Sequence, residues 1–482
     1  AYTISGNFDI AASAFSATGT GTFTATAAGK SITATGSSLG KVKFNGTGGG
    51  WTLMSNLVMS SATLTAGAVT DNGKTVRVDG NLSVANVSGI LTSTGIWEVS
   101  ANATVSNANV GNILASFRVG TGTTVSLGGT LYTKRIIFGA NSSMPARPNA
   151  TLMIYQPTVD DFIDMGAGTS MAESIIVDNV ASTVRTQKAL TTTGELWVRN
   201  GSDSVLRMTG NWSVGNLYVH GAYTSDSEAE TQVLDTNGYN LTVNGNLTVG
   251  NTTSSAYFGK VEFKNGTHRV TGNIKADTNA THGYIELGSG TILVNGNVDL
   301  RYATVRRQQS TVVLNGSTTQ YVDSGTGAAV SVFHNLTHSG ASTVTVSGSN
   351  LQIGSGLTLK STAGTFNVNG KNLTASGLTV NGGTFTGGAG NVDVNGNVTI
   401  GGGTLTAPTG SFTVSGNWAK TGGTFTHSSG TVTFDSASQA TQSLNSGGTD
   451  EGSRFYNITH AGSGTLQPAT SHLALSGALA TT

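Results

Sequence analysis

A repeat of 20 residues constrains the fold of this chain more than any other feature of its sequence. One tetrapeptide pattern recurs at Gly383–Thr386, Gly403–Thr406 and Gly423–Thr426, in steps of 20 (403−383 and 423−403). A fixed period near this length is typical of stacked units that cannot bury their apolar face alone. Within each unit, apolar residues alternate with Thr, Ser or Asn, which is the two-residue period of a β-strand. The repeat therefore predicts an all-β fold in which successive windings of the chain lie on one another.

We expect each winding to be a coil of short strands and Gly or Asn turns, stacked on the next at about 4.8 Å as in a parallel β-helix or β-solenoid. Residues at equivalent positions then form ladders through the interior. Phe385, Leu405 and Phe425 are predicted to form one buried ladder, and Val394 and Val414 another. Tandem β-sandwiches are a less favoured architecture because a 20-residue step is shorter than a sandwich needs.

Two further predictions concern the position of Lys420 in the repeat and the asparagines that follow Gly. Ile400 aligns with Lys420, so this position is predicted to face solvent or a local bulge. Asn follows Gly and precedes an apolar residue at many turns, where it is expected to adopt left-handed geometry and to bond to the Asn of the adjacent coil. These asparagines are Asn7, Asn81, Asn211, Asn246, Asn273, Asn297, Asn397 and Asn417.

The chain divides into four predicted regions. Residues 1–131 form an N-terminal β-repeat region, and residues 132–234 a less regular β region with loops, which holds three of the five prolines. Residues 235–435 form the regular solenoid, and residues 436–482 a C-terminal β segment that could serve as an assembly joint. A module of about 120 residues is also duplicated, because Phe333–Gly340 recurs as Phe455–Gly462 (455−333 = 122).

Several of these runs resemble the β-strand-repeat surface proteins of bacteria and archaea. The runs that carry the resemblance are Val243–Val249, Gly430–Asp435 followed by Phe455–Thr459, and Lys41–Leu53 followed by Leu64–Gly67. That group includes adhesin passengers and extracellular filament proteins. The resemblance implies a β-solenoid at the cell surface, and it supplies no catalytic residue to carry over.

The composition excludes several classes of protein. Lys and Arg number 24 and Asp and Glu 24, so no basic face for nucleic acid is expected. No apolar run is long enough to span a bilayer as a helix. The absence of Cys removes disulfides and thiolate chemistry. Because the chain begins at Ala1, a removed secretory signal is expected, although an expression product would begin the same way.

An acidic run is the strongest candidate for catalysis. Asp160, Asp161 and Asp164 could act as paired acids, as clustered carboxylates do in polysaccharide-cleaving β-helix enzymes. Arg306–Arg307 and His282–Gly283 lie more than a hundred residues away. A solvated acidic turn is the favoured interpretation, so we predict that the chain is not an enzyme and has no catalytic residues.

Metal and modification sites are weaker candidates. Calcium could bind Asp226, Glu228 and Glu230 with the following Asp235–Gly238, or the near-nonapeptide Gly387–Asp393, but solvated loops are favoured. His338 and His460 occupy equivalent places in the duplicated module, and we interpret them as copies of a turn residue. We predict no metal and no cofactor.

Glycosylation sequons occur at Asn45, Asn81, Asn102, Asn141, Asn211, Asn246, Asn265, Asn335, Asn397 and Asn457.

The terminal segments suggest how the protein would work. Tyr2–Ile10 and His472–Leu479 are strand-like, with little charge to block edge pairing. Complementary uncapped ends favour head-to-tail addition into a filament. The predicted function is therefore an extracellular structural protein that self-assembles into a surface filament or sheath. An adhesin passenger that binds glycans or surfaces is the alternative, and a polysaccharide-active β-helix enzyme comes third.

Overall fold

A computed structural model describes most of the chain as two compact units built from parallel strands. The described residues are 1–10, 15–85, 91–105, 113–178, 184–199, 204–220, 232–250, 259–276, 283–325, 333–360, 362–438, 440–469 and 473–481. Unit 1 is Ala1–Leu234 and unit 2 is Asp235–Thr482. Throughout the described ranges, each strand pairs with strands one coil away and in the same direction. The predicted all-β solenoid is confirmed.

The strands of unit 1 are mostly short, although Lys41–Leu53 has 13 residues and Ser61–Thr70 has 10. They are β1 (Tyr2–Ile4), β2 (Phe8–Ile10), β3 (Thr20–Phe23), β4 (Lys30–Ala34), β5 (Lys41–Leu53), β6 (Leu57–Met59), β7 (Ser61–Thr70), β8 (Thr75–Val78), β9 (Leu82–Val84), β10 (Leu91–Thr92), β11 (Ile96–Val99), β12 (Ala103–Val105), β13 (Ser116–Val119), β14 (Thr130–Thr133), β15 (Ile136–Phe138), β16 (Ser143–Met144), β17 (Thr151–Tyr155), β18 (Ile163–Asp164), β19 (Ser170–Met171), β20 (Ile175–Asp178), β21 (Val184–Gln187), β22 (Leu190–Thr191), β23 (Leu196–Arg199), β24 (Val205–Met208), β25 (Trp212–Val214) and β26 (Leu217–Val219).

Unit 2 contains the regular 20-residue repeat and a short 3-10 helix at Glu451–Ser453. Its strands, the first of which begins just before the unit boundary, are β27 (Gln232–Asp235), β28 (Leu241–Val243), β29 (Leu247–Val249), β30 (Gly259–Glu262), β31 (Thr267–Val270), β32 (Ile274–Ala276), β33 (Gly283–Glu286), β34 (Thr291–Val294), β35 (Val298–Asp299), β36 (Ala303–Arg306), β37 (Thr311–Leu314), β38 (Gln320–Asp323), β39 (Phe333–His338), β40 (Val344–Val346), β41 (Leu351–Leu359), β42 (Thr365–Asn367), β43 (Leu373–Val380), β44 (Thr384–Thr386), β45 (Val392–Ile400), β46 (Thr404–Thr406), β47 (Phe412–Val414), β48 (Trp418–Lys420), β49 (Thr424–Thr426), β50 (Thr431–Phe434), β51 (Thr441–Asn445), β52 (Asn457–His460), β53 (Thr465–Pro468) and β54 (Leu479–Thr481).

Stacked apolar side chains form the core of unit 1. In β17, β20, β23 and β26, Leu152 pairs with Ile175, Ile175 with Leu196, and Leu196 with Leu217. All four side chains are fully buried. Since full burial of each such side chain contributes about 1.5–3 kcal/mol, a ladder of this kind stabilises every coil it crosses.

The ladders predicted for unit 2 are confirmed. Phe385 pairs with Leu405 and Leu405 with Phe425, and all three side chains are buried. Val394 lies over Val414 in the adjacent row. The preceding coil extends the first ladder, because Phe366 pairs with Phe385 and their rings stack at 6.3 Å and 5°.

Glycine at the repeated turn has a specific backbone role. Gly383, Gly403 and Gly423 have φ values of 61°, 65° and 63°, in the left-handed region that other residues rarely adopt. A Cβ on Gly403 would also overlap the backbone of the preceding coil at Gly382 and Gly383. Both the turn and the close stacking therefore require Gly at this step of the repeat.

Asparagine side chains link neighbouring coils on the outside of unit 2. Asn246 Oδ1 accepts the backbone N–H of Asn273 at 2.8 Å, Asn273 Oδ1 that of Asn297 at 2.7 Å, and Asn297 Oδ1 that of Tyr321 at 2.8 Å. The predicted Asn-to-Asn bonding between coils is thus confirmed, with the backbone as the donor.

The predicted left-handed geometry of these asparagines is wrong. Asn246, Asn273 and Asn297 have negative φ, whereas Asn72, Asn237 and Asn369, which precede Gly, have φ values of 51°, 50° and 57°. The physical reason is that an extended Asn can place its Oδ1 beside the next coil, while the tight reversal takes place at Asn-Gly.

The prediction for Lys420 is also wrong. Lys420 pairs with Ile400 in register, as the alignment indicated, but its side chain is only 6% exposed and faces the interior. Its ammonium donates a hydrogen bond to the Ser453 hydroxyl at 3.0 Å. The segment that carries Ser453 covers this position, so the amine has a buried polar partner instead of water.

Candidate functional site

The acidic run of unit 1 connects neighbouring coils. Asp160 Oδ1 accepts the backbone N–H of Thr186 at 2.8 Å, and Asp161 Oδ1 accepts that of Lys188 at 2.9 Å. Asp161 also pairs with the Lys188 ammonium at 2.9 Å, while Asp164 pairs with Arg135 at 3.2 Å. The three carboxylates therefore have separate partners in other turns and strands of unit 1.

Some of the calcium candidates lie among the described residues and others lie outside them. Asp226, Glu228 and Glu230 lie outside the described residues. Asp235 Oδ1 accepts the backbone N–H of Asn237 at 2.8 Å, which closes a turn, and Asp393 Oδ1 accepts the Thr413 hydroxyl at 2.6 Å. Within the described ranges, no three His, Asp or Glu side chains are grouped closely enough to hold a metal ion.

The two equivalent histidines are strand residues, so their interpretation as turn residues is wrong. His338 ends β39 and pairs with Leu314, whereas His460 ends β52 and pairs with Phe434. The strand simply continues to the His in both copies of the module. His338 is fully buried, and burial lowers its pKa although backbone carbonyls of Leu314 and Ser342 oppose the shift. His282, mentioned with the acidic run, lies outside the described residues.

The sequons differ in how accessible their asparagines are. Exposed asparagines occur at Asn45, Asn81, Asn102, Asn141, Asn211, Asn265 and Asn397, and partly buried ones at Asn246, Asn335 and Asn457. Asn397 Oδ1 accepts the backbone N–H of Asn417 at 2.8 Å.

A polar cleft on the outer face of unit 2 brings together charged side chains that sequence reasoning missed. Lys275, Asp299, Asp323 and Ser347 occupy one outward row, because Lys275 pairs with Asp299 and Asp299 with Asp323. The cleft has a volume of about 320 Å³. Its lining is completed by Asn273, Asn297, Val298, Arg301, Tyr321 and Gly348.

The centre of the cleft is an arginine held by two carboxylates. Arg301 donates from Nε to Asp299 Oδ1 at 2.9 Å and from Nη2 to Asp299 Oδ2 at 2.6 Å. Its Nε lies 3.7 Å from Asp323 Oδ2. Burial alone would raise the pKa of Asp299, but the hydrogen bonds and charge of Arg301 lower it below its ordinary value. Asp299 is therefore ionised at neutral pH and suits hydrogen-bond acceptance, not the donation of a proton.

The cleft walls are fixed by the backbone around them. Asp323 is 5% exposed and its Oδ1 accepts the backbone N–H of Gly325 at 3.0 Å. Gly348 has a φ of 68°, and a Cβ at this position would overlap the Asp323 carboxylate. The asparagine ladder through Asn273 and Asn297 forms the neighbouring row. The charged groups thus occupy defined positions on a rigid sheet, which is the arrangement that binding sites require.

The aromatic side chains on the outer face of unit 1 do not form an open platform. Trp197 pairs with Tyr218, and their rings stack on each other at 3.9 Å and 14°. His220 packs edge-on against both rings. Because the facing sides of the rings contact each other, they stabilise the stacking of coils and are not free for a flat ligand.

No protein-family model, curated protein or solved structure matches this chain. Among the described residues, no helix has the length and apolar character needed to cross a bilayer.

Proposed function

We propose that this chain is an extracellular structural protein whose copies add head-to-tail to build a surface filament or sheath. The observation that carries the proposal is the parallel pairing of the described strands within each unit. In a parallel stack, the hydrogen-bonding edge on one side of a coil is complementary to the edge on its other side. A second copy can therefore continue the same ladder without a change of direction, which gives an open, heterologous contact.

The outermost described strand of unit 2 offers such an edge. All three residues of β54 are exposed, and Leu479 is 60% exposed. Beside it lies a cavity of about 410 Å³, lined by apolar side chains that include Leu466, Leu473 and Leu479. His460 also lines this cavity, and its buried Nε2 has no hydrogen-bond partner. An edge strand next to unfilled apolar space favours pairing with another chain.

The first coil of unit 1 provides a suitable counterpart. β1 pairs with β3 and β2 with β4. Tyr2, Phe8 and Phe15 are half-buried and contact one another at ring distances of 6.2–6.4 Å. A partly covered aromatic cluster of this kind gains most when another apolar surface removes it from water.

The proposal predicts assembly that depends on the β54 edge. We expect negative-stain microscopy and sedimentation of the purified chain at rising concentration to show filaments. Leu479→Lys should abolish them, because a charge on an edge strand opposes pairing. Val159→Lys, at a site that is 43% exposed in unit 1, is the matched control and should assemble normally. Discrete particles at every concentration, or filaments that persist in Leu479→Lys, would overturn the proposal.

A further inference from the structure

We propose that the cleft around Asp299, Arg301 and Asp323 in unit 2 binds a short uncharged oligosaccharide. This activity goes beyond the proposed structural role, because a self-assembling scaffold needs to bind only itself. Four properties of the cleft support it: the mixture of donors and acceptors, the balance of charge, the exposed aromatic ring and the spacing of the rows.

The hydrogen-bonding groups match those of a sugar. Each sugar hydroxyl both donates and accepts, so a saccharide site needs acceptors and donors close together. Asp299 and Asp323 supply carboxylate acceptors, while the Lys275 ammonium and the Arg301 guanidinium supply donors. The Oδ1 atoms of Asn273 and Asn297 are occupied by backbone N–H groups of the next coil. Their amide groups can therefore present N–H donors toward the cleft, beside the hydroxyl of Ser347.

The charges favour a neutral ligand. Two carboxylates face two cations, and Arg301 is already held by both carboxylates. An anionic ligand would have to compete with Asp299 and Asp323 for Arg301 and would meet their repulsion. A cationic ligand would meet Lys275 and Arg301. A neutral sugar chain forms hydrogen bonds through its hydroxyls. It neither competes for Arg301 nor meets repulsion between like charges.

The exposed ring and the dimensions fit a sugar chain. Tyr321 is 49% exposed and lines the cleft. An exposed Tyr offers an apolar ring face and a polar hydroxyl to the same ligand. The rows of the cleft repeat at the coil spacing of about 4.8 Å, which is close to the length of one pyranose unit along its chain. The volume of about 320 Å³ lies at the lower end of small-ligand sites and suits a short segment.

The first test is a binding survey with the full chain. An array should carry neutral cello-, chito-, malto- and xylo-oligosaccharides beside acidic oligogalacturonates and sialylated glycans. Any neutral oligosaccharide that binds is then titrated by calorimetry at low and high salt. We expect binding to at least one neutral oligosaccharide, with an affinity that changes little with salt because no ion pair is formed.

Variants then assign the binding to this cleft. Tyr321→Ala should weaken the affinity about tenfold through loss of the ring contact, with little change in the thermal midpoint because about half of the residue is exposed. Tyr239→Ala, at an exposed tyrosine in a turn of the same unit, is the matched control and should bind like the wild type.

Three results would overturn the inference. The first is no binding of any neutral oligosaccharide at millimolar concentration. The second is an affinity that Tyr321→Ala leaves unchanged. The third is binding of acidic glycans alone, lost at high salt and in Lys275→Ala, which would assign a different ligand to the cleft. Filament formation is scored separately, so failure of either proposal leaves the other intact.

Discussion

The indole N–H of Trp97 donates a hydrogen bond to Asp71 Oδ2 at 3.0 Å, and both side chains are fully buried in unit 1. Asp71 also accepts hydrogen bonds from the Ser93 hydroxyl, from the backbone N–H groups of Gly73, Thr94 and Gly95, and from the Thr94 hydroxyl. No cation pairs with this carboxylate in the described ranges. Asp71 accepts these hydrogen bonds from donors of two adjacent coils, so it links the coils as a structural group.

Replacement of Asp71 should therefore destabilise unit 1 strongly. Asp71→Ala leaves the buried Trp97 and Gly95 donors without an acceptor, and we expect a loss of at least about 3 kcal/mol. Asp79→Ala is the control, because Asp79 forms an exposed pair with Arg77, a contact usually worth below about 1 kcal/mol. Urea unfolding followed by tryptophan fluorescence measures both variants. Equal losses would show that Asp71 does not hold the coils together.

The interior ladder of unit 2 makes a second prediction. Phe425→Asp places an unpaired charge in the buried ladder next to Leu405, and we expect the free energy of unfolding to fall by several kcal/mol. Phe425→Leu should cost much less, because the ladder already accommodates Leu one coil earlier. The unfolding midpoints of the two variants give the comparison. An unchanged midpoint in Phe425→Asp would contradict the buried ladder.

These ladders could be predicted from sequence because a fixed step places like residues over one another. Phe385, Leu405 and Phe425 needed only the 20-residue period, since the alternation of the strand decides which side chains face inward. The same reasoning gave the wrong environment for Lys420. Its register was predicted correctly, but its burial depends on a segment around Ser453 that lies outside the repeat, and a periodic pattern does not place such a segment.

The cleft was missed although its row carries a detectable signal. Lys275, Asp299, Asp323 and Ser347 recur in steps of 24 (299−275, 323−299 and 347−323). A search for charged residues at the local coil length would have aligned the first three in one column. The contribution of Arg301 could not be found in this way, because its contact with Asp299 depends on the direction of a flexible side chain beyond the strand.

A buried histidine makes the stability of unit 2 depend on pH. His268 is fully buried, its Nδ1 accepts the backbone N–H of Leu241 at 3.3 Å, and its Nε2 lies 2.5 Å from the Phe263 carbonyl. These contacts assign the neutral ring with its proton on Nε2. Burial lowers the pKa of His268 to about 4, although the Phe263 carbonyl opposes the shift.

The direction of this pH dependence follows from the difference in proton binding between the folded and the unfolded chain. Between about pH 6.5 and 4, the unfolded chain binds a proton at His268 that the folded chain does not, so stability falls as the pH decreases. The contribution of the neutral His268 to stability is fully present above about pH 6.5. About 3 kcal/mol of this stability is lost once the pH reaches 4. Unfolding midpoints measured across this range should fall less steeply in His268→Gln. His427→Gln is the control, and the same slope in all three proteins would refute the assignment.

The buried amine of Lys420 gives the last prediction, which depends on which partner is removed. The Ser453 hydroxyl accepts a hydrogen bond from Lys420 and donates one to Asp450 Oδ2, each at 3.0 Å. Ser453→Ala leaves the ammonium buried without this acceptor, and we expect a loss of about 1–3 kcal/mol. Lys420→Met removes the charge and keeps the volume, so stability should be unchanged or higher, since buried charges repay little of their desolvation cost.

The two variants should, by contrast, behave alike in the local protection of the backbone. Hydrogen exchange around residues 446–453 should speed up in both, because each loses the bond that ties this segment to β48. Ser463→Ala, which removes only an exposed hydroxyl, should match the wild type in both measurements. If Lys420→Met were as unstable as Ser453→Ala, the amine itself would be the stabilising group, because the volume-matched side chain would have failed to replace it.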